Sequence, residues 1–264
     1  MRGGLLRVYA YAVAAVMVLP ILMTLPASVT TTAYMTFPPV GFTLAWFPKA
    51  FGDGPLVASL VRSVDIAFVS AAIAVAAGLA AAFAVERHAF RGRDLVETLF
   101  TGPQMVPQII LVLGLLIFYH SLGLSGTLLG LMLSHMIIAL PFAFRTLLVS
   151  VATLDRRLEW SAAILGANRR QILWRIIFPQ MKTGVIAALI FSFMSSFTNF
   201  TMALFLAGVG RTTLPVEMFN RLYVAGMTPA IPAMSFLLGL LGVMMFIAAD
   251  RTLGVYKYLG GGGQ

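Results

Sequence analysis

The sequence predicts an all-α, polytopic membrane protein, and three observations carry that expectation. Of its 264 residues, 60% are hydrophobic and only 10% are charged, against roughly 45–50% and 25% in soluble domains, and the mean hydropathy is +0.95. Charge-free stretches repeatedly reach the roughly 20 residues that a helical span needs, which leaves little chain for a separate soluble domain. The basic residues, finally, crowd into alternate connections between those stretches. A net charge of +9 is then explained by loops facing cytoplasm and anionic lipid rather than by nucleic acid. With no cysteine, disulfides, thiolate metal sites and cysteine nucleophiles are excluded.

Spans are sought between charges, because an ionised side chain at mid-membrane costs roughly 2.5–3.5 kcal/mol on the insertion scale. The first covers about residues 8–27, after Arg2 and Arg7, and gives way to a polar, Pro-rich segment with Thr30, Thr31, Thr32, Pro38 and Pro39. No tidy cleavage site precedes a soluble remainder, so it is expected to stay as an uncleaved helix. The second is the Ala-rich 66–85, bounded by Asp65 and by Glu86-Arg87; Arg62 and Asp65, three apart, are expected to pair at its rim. Residues 98–144 hold no Asp, Glu, Lys or Arg over 47 positions. One helix of that length would run about 70 Å, against a hydrocarbon core of about 30 Å. The stretch must fold back, and His120 to Gly126 is the break between spans at 99–119 and 127–147. The fifth and sixth fall in 183–210 and 222–249, the latter starting near Pro229 to Pro232 because those prolines and Gly226 signal a turn.

Six spans put both termini on one side, and fourteen of the eighteen basic residues lie there. The positive-inside rule therefore predicts cytoplasmic termini. Seven of those fourteen, from Arg145 to Lys182, occupy one connection. In it, Asp155 can cap a helix beginning at Arg156 and Gly166 suits the left-handed position that ends it. Asn168 can cap a second helix, which Pro179 is expected to stop. A solvated loop has no need of Leu158, Trp160, Ile164, Leu165 and Trp174, so this unit must set an apolar face against the membrane domain or another protein.

Leu158-Glu159-Trp160-Ser161-Ala162-Ala163-Ile164-Leu165-Gly166-Ala167, with Ile176-Ile177-Phe178-Pro179 following nine intervening residues after Gly166, resembles the EAA loop of permease subunits of ATP-binding-cassette (ABC) importers. Ala162, Gly166, Ile176 and Pro179 match that pattern and Phe178 varies it conservatively. Trp160 stands where the family has Glu and Ser161 where it has the first Ala. Glu159 is acidic one residue early, about 100° around a helix. Phe37 to Phe47, Ser196 to Leu206 and Leu214 to Phe219 are similar to the polyamine-type (spermidine/putrescine) permeases, especially their second permease component. The resemblance implies a type I ABC importer permease fold in a bacterial inner membrane. It also implies a coupling helix seated on a cytoplasmic ABC ATPase dimer, a second, different permease chain and an extracytoplasmic solute-binding protein. The coupling residues would be Arg156, Glu159, Trp160, Ser161, Ala162, Gly166, Ile176 and Pro179. Residues 1–55 then form the N-terminal helix and outer segment, 56–257 the permease core with its coupling loop at 149–182, and 258–264 a flexible Gly-rich tail.

No P-loop pattern is present, and the resemblance implies that ATP and Mg belong to the partner ATPase and that the chain is not itself an enzyme. No catalytic or metal-ligating set stands out among His88, His120 and His135, which lie in separate segments; His135, mid-span, is expected to bond a neighbouring helix. Gly123-Leu124-Ser125-Gly126 resembles the nucleophile motif of rhomboid intramembrane serine proteases, but no histidine follows residue 135 to act as base, and the tetrapeptide reads as a tight turn. An ion-coupled secondary transporter would place an ionisable residue at mid-membrane, whereas Arg62, Asp65 and Arg145 sit at span ends. Polar residues mark the faces that avoid lipid. Gln104 and Gln108 are expected on one face of the third span, and Ser192, Ser195, Ser196 and Asn199, at i, i+3, i+4 and i+7, on one face of the fifth. Either stripe can glue helices or line the pathway, and the resemblance favours the pathway for the fifth.

Overall fold

The computed structural model describes residues 2–33, 38–225 and 228–253. Along the chain run α1 (Arg2–Ser28), α2 (Trp46–Gly52), α3 (Gly54–Arg87), α4 (Arg93–Thr101) and a 3-10 turn at Gly102–Gln104. Then come α5 (Gln108–Ser121), α6 (Leu128–Ala152), α7 (Arg156–Ile164), α8 (Arg169–Ile172), a π turn at Leu173–Ile177 and α9 (Phe178–Phe197). Last are α10 (Thr201–Leu206), α11 (Leu214–Asn220), a second π turn at Arg221–Ala225 and α12 (Ala230–Leu253). Among the described residues there is no strand, only a bridge between Thr30 and Phe42. Among the described residues three helical rods are long and apolar enough to cross a membrane: α3, α6, and α8 with α9 as the continuous Arg169–Phe197. The pair Arg93–Gln104 and Gln108–Ser121, bent by 104°, makes a fourth if counted as one span. At the predicted first and sixth spans stand α1, of 27 residues, and α12, of 24. The chain divides into two compact units, Met1–Leu60 with Val216–Met244 and Val61–Pro215 with Met245–Gln264; the predicted tail at 258–264 lies outside the described residues.

In the larger unit α6 is the central post, because small residues on three helices let backbones approach and leave hydroxyls to bond across. Ala74, Ala81 and Ala82 of α3 pack with Ala143, Phe144 and Leu147 of α6. A Cβ on Gly78 would stand 3.1 Å from the Phe144 backbone nitrogen. The Ser70 hydroxyl donates to the Met132 carbonyl at 2.8 Å. On the other flank Gly184 of α9 lies directly against the Ser150 side chain. Ser192 Oγ donates to the Ala139 carbonyl at 3.3 Å, and Ser196 Oγ shares a 2.9 Å hydrogen bond with His135 Nδ1. His135 is thus bonded to a neighbouring helix, as its mid-span position predicts.

Three expectations about the spans need correction. The second helix begins at Gly54, not near 66, because Asp53 Oδ1 caps it by accepting from the Leu56 N–H at 3.1 Å and Pro55 tolerates the first turn, where no backbone donor is used. Arg62 does not pair with Asp65 but donates from Nη1 to the Thr212 carbonyl at 2.8 Å. The third segment is no straight helix over 99–119. Pro103 and Pro107 withhold the amides that would continue α4, the chain turns between Gly102 and Pro107, and the apolar remainder, α5, has only 14 residues.

The predicted break at 120–126 is a helix-ending motif followed by a new cap. Gly123 and Gly126 both have φ +68°, the Leu124 N–H donates to the Tyr119 carbonyl at 2.8 Å, and Thr127 Oγ1 accepts from the Gly130 N–H at 3.0 Å. Left-handed backbone at these two points is what glycine permits at least strain.

The smaller unit is tied by side chains reaching across long sequence separations. Trp46 Nε1 donates to the Thr30 carbonyl at 2.7 Å, and Lys49 Nζ sits 4.4 Å from the Trp46 ring centroid. Arg221 binds both oxygens of Asp53, at 2.5 and 2.7 Å, and Glu217 at 2.8 Å. Its guanidinium holds the Asp53 carboxyl below the ordinary range for an aspartate.

Candidate coupling unit and solute cavity

Between α6 and α9 the chain builds a helix, elbow and helix whose ends are set by local bonds. Asp155 Oδ1 accepts from the Arg157 N–H at 2.9 Å and starts α7. Gly166, at φ +86°, closes it: the Gly166 and Ala167 amides donate back to the Ala163 and Ala162 carbonyls, both at 3.0 Å, the pairing that consumes the last orphan carbonyls of a helix. Asn168 and Gln171 then exchange side-chain and backbone bonds at 2.8 and 2.9 Å, a reciprocal cap that starts α8.

Pro179 does not stop this second helix. The turn before it widens so that the Phe178 N–H reaches the Leu173 carbonyl five residues back. In a widened turn the amide that proline lacks and the carbonyl its ring would strike are no longer in register. The rod therefore runs unbroken from Arg169 to Phe197. Ile177 is buried in it, Ile176 partly so, and Pro179 is exposed.

No residue of α7 is buried. Trp160 and Ile164, one helical turn apart, are 64% and 86% exposed, and Leu165 is 87% exposed. An apolar face of that size without cover is characteristic of an interaction surface. Ser161 satisfies its own hydroxyl on the Arg157 carbonyl at 2.8 Å, and Ala162 is half-buried. Two side chains of the first turn reach back to the end of α3: Glu159 Oε1 accepts from Arg87 Nη2 at 2.8 Å and Arg156 Nη2 donates to the Glu86 carbonyl at 3.3 Å. Arg87 escaped the sequence reading. The signal available was that Glu159 is the lone acid within α7 and that Arg87 ends a span on the same predicted side.

The bend between α4 and α5 makes the second feature, a cavity of about 430 Å³. Gln104 and Gln108 do not share a helix face as expected; they flank the bend, and both line this cavity together with Ser195, Asn199, Ile138 and Phe142. The fifth-span stripe also divides. Helix α9 ends at Phe197, so Asn199 lies beyond it and accepts from the Met202 N–H at 2.9 Å, at the start of α10. Ser195 and Asn199 face the cavity, whereas Ser192 and Ser196 are buried against α6. The lining offers amide and hydroxyl groups between apolar walls and has no charged side chain.

Comparison with known proteins places this geometry. A family model described as the binding-protein-dependent transport system inner membrane component matches residues 74–252. The chain belongs to this family. It is a multi-pass membrane protein and a permease subunit of an ABC importer. The spermidine/putrescine transport system permease protein PotC of Haemophilus influenzae is 29% identical over 210 residues, covering 80% of this chain and 81% of that one. The putrescine transport system permease protein PotI of Escherichia coli K12 is 28% identical over 216 residues, 79% of this permease and 76% of the relative. In solved structures the fold recurs in a bacterial ABC transporter involved in the import of the acidic polysaccharide alginate, with a TM-score of 0.67 at 14% identity over 97% of this chain and 96% of that one. It recurs too in the inward-facing MetNI methionine ABC transporter, with a TM-score of 0.60 at 18% identity over 84% and 99%.

Proposed function

We propose that this permease forms one half of the pathway of a polyamine-type importer, taking up spermidine, putrescine or a related small charged solute delivered by an extracytoplasmic binding protein. The observation that carries the mechanism is the rod from Arg169 to Phe197, which joins a bare apolar coupling helix at one end to the cavity residue Ser195 at the other. A cytoplasmic ABC ATPase dimer, holding ATP and Mg, grips α7 on the exposed side of Arg156, Trp160 and Ile164, with Ser161 and Ala162 flanking that side; the Gly166 elbow and the segment through Ile176 and Pro179 convert its closure into movement of α9. Six spans with both termini in the cytoplasm follow from the basic-residue asymmetry.

A different permease polypeptide completes the pathway, and its loop supplies the acidic residue that Trp160 replaces here. Gln104, Gln108, Ser195 and Asn199 line this half of the pathway; Ser192 and Ser196 hold its wall to α6. Because the lining carries no carboxylate, the ammonium groups of a polyamine are recognised chiefly by the binding protein and the partner chain.

Proteoliposomes test this reading. Containing this chain, its cognate ATPase, second permease and binding protein, they should accumulate radiolabelled spermidine or putrescine only with internal ATP, and the purified chain alone should hydrolyse none. Uptake of neither solute by an assembly that hydrolyses ATP in response to its binding protein overturns the polyamine assignment. ATP hydrolysis by the chain alone overturns the division of labour.

A further inference from the structure

The acidic residue of the coupling helix is turned into the chain, not toward a partner. Glu159 and Arg87 meet at 2.8 Å with their side chains only 21% and 12% exposed, while the neighbouring Trp160 is 64% exposed. Neither Oε1 nor Nη2 therefore faces outward as Trp160 does. Arg156 makes a second link to the same place, through the Glu86 carbonyl at 3.3 Å. Thus α7 is fastened at two points to the last turn of α3, and through Gly166, α8 and the π turn it is continuous with α9.

We propose that Arg87 and Glu159 form a strut that makes the coupling helix move with α3 as well as with α9, and that Arg87 is a positioning residue for energy coupling. Without the strut a push on α7 is carried toward α9 through the elbow at Gly166, where rotation about the glycine can absorb it, and α7 is held to α3 by no more than the 3.3 Å bond from Arg156 to the Glu86 carbonyl. With it, the push also reaches α3, whose Ala74, Ala81 and Ala82 pack on α6. A charge-assisted pair so sparingly exposed is screened less by salt than a surface pair, which suits it to bearing load. This inference rests on the reading that the ATPase acts on α7, not on which solute is carried.

The test uses the assembled importer in lipid, with nitroxides on Ala89→Cys, just beyond α3, and Ala163→Cys on α7, both exposed positions in a chain without cysteine. Pulsed electron resonance should give one narrow distance that is the same without nucleotide, with ATP and after vanadate trapping. In Arg87→Gln and Glu159→Gln the distance should broaden and change with nucleotide, the ATPase should still copurify, and uptake per ATP hydrolysed should fall about tenfold.

Exchanging the charges, Arg87→Glu with Glu159→Arg, should restore the narrow distance and at least half of the coupling, short of all of it because an acid at the C-terminal end of α3 opposes the helix dipole. An unchanged distance in both single variants, no recovery in the exchange, or loss of the ATPase from Glu159→Gln would overturn the strut. Should the wild-type assembly take up no spermidine while the distances behave as described, the solute assignment fails and the strut stands.

Discussion

Gly166→Val should cut ATP-driven uptake by at least about tenfold and release the ATPase subunit during purification, with the membrane spans still inserted. The cause is conformational rather than steric. Nothing lies within 4 Å of where a Cβ would stand, but φ is +86°, a region that costs an ordinary L-residue about 1–2 kcal/mol and a β-branched one more. Valine relieves that strain by abandoning the left-handed elbow. The amides of residues 166 and 167 then leave the Ala163 and Ala162 carbonyls, α7 loses its end, and the Trp160 and Ile164 face rotates away from its partner. Gly166→Asn is the control, since asparagine tolerates the left-handed region and should keep most of the uptake. If Gly166→Val loses uptake while the ATPase stays bound and hydrolyses normally, the elbow serves something other than docking. Equal loss in the valine and asparagine variants would point to a need for glycine's size.

Gly184→Leu should strongly destabilise the larger unit, because its Cβ would fall on the Ser150 Oγ and Cβ atoms. Neither helix can yield without carrying its own bonds along: Ser192 to the Ala139 carbonyl and Ser196 to His135. Forcing extra atoms into so close an approach costs typically 1–3 kcal/mol, occasionally more, and here it would also pry open the wall beside Ser195. A fall in thermal midpoint of the detergent-solubilised assembly, with reduced yield, checks the prediction. Gly184→Ala combined with Ser150→Gly should be milder than Gly184→Ala alone, because the partner atoms have been removed. Equal stability of the two would mean that the approach of α6 and α9 is looser than described.

What could be read from the sequence, and what could not, divides by distance along the chain. Asp155, Gly166, Asn168 and the Gly123 to Gly126 turn were legible because each acts on backbone within a few residues, where local chemistry decides the outcome. Charges were poorer guides: Asp65 looked like the edge of a span, yet α3 continues to Gly54 because a helix need not end where the hydrocarbon does. Pro179 looked like a stop, and only the π turn before it explains why the helix continues. The prolines at 103 and 107 were visible, but an apolar run without charges hid the bend they cause.

The 3.6-residue period put Ser192, Ser195, Ser196 and Asn199 on one stripe, which the structure divides. It could not show that the helix ends before Asn199, or that one pair turns to α6 and the other to the cavity. The pairs Arg62 with Thr212, Asp53 with Arg221 and Arg87 with Glu159 join residues far apart in sequence, and no local pattern announces them.

In this mechanism the bare face of α7 is where an ATPase pushes. With cysteine at Ile164, 86% exposed, as the sole cysteine in this chain, a short thiol-reactive cross-linker applied to membranes holding the whole assembly should join this chain to the ATPase subunit. Cysteine at Val209, fully exposed in the connection after α10, should give no such product and should instead react with an impermeant maleimide added outside intact cells. ATPase captured from Val209, with Ile164 unreactive toward it and labelled from outside, would contradict both the docking face and the orientation on which the mechanism depends.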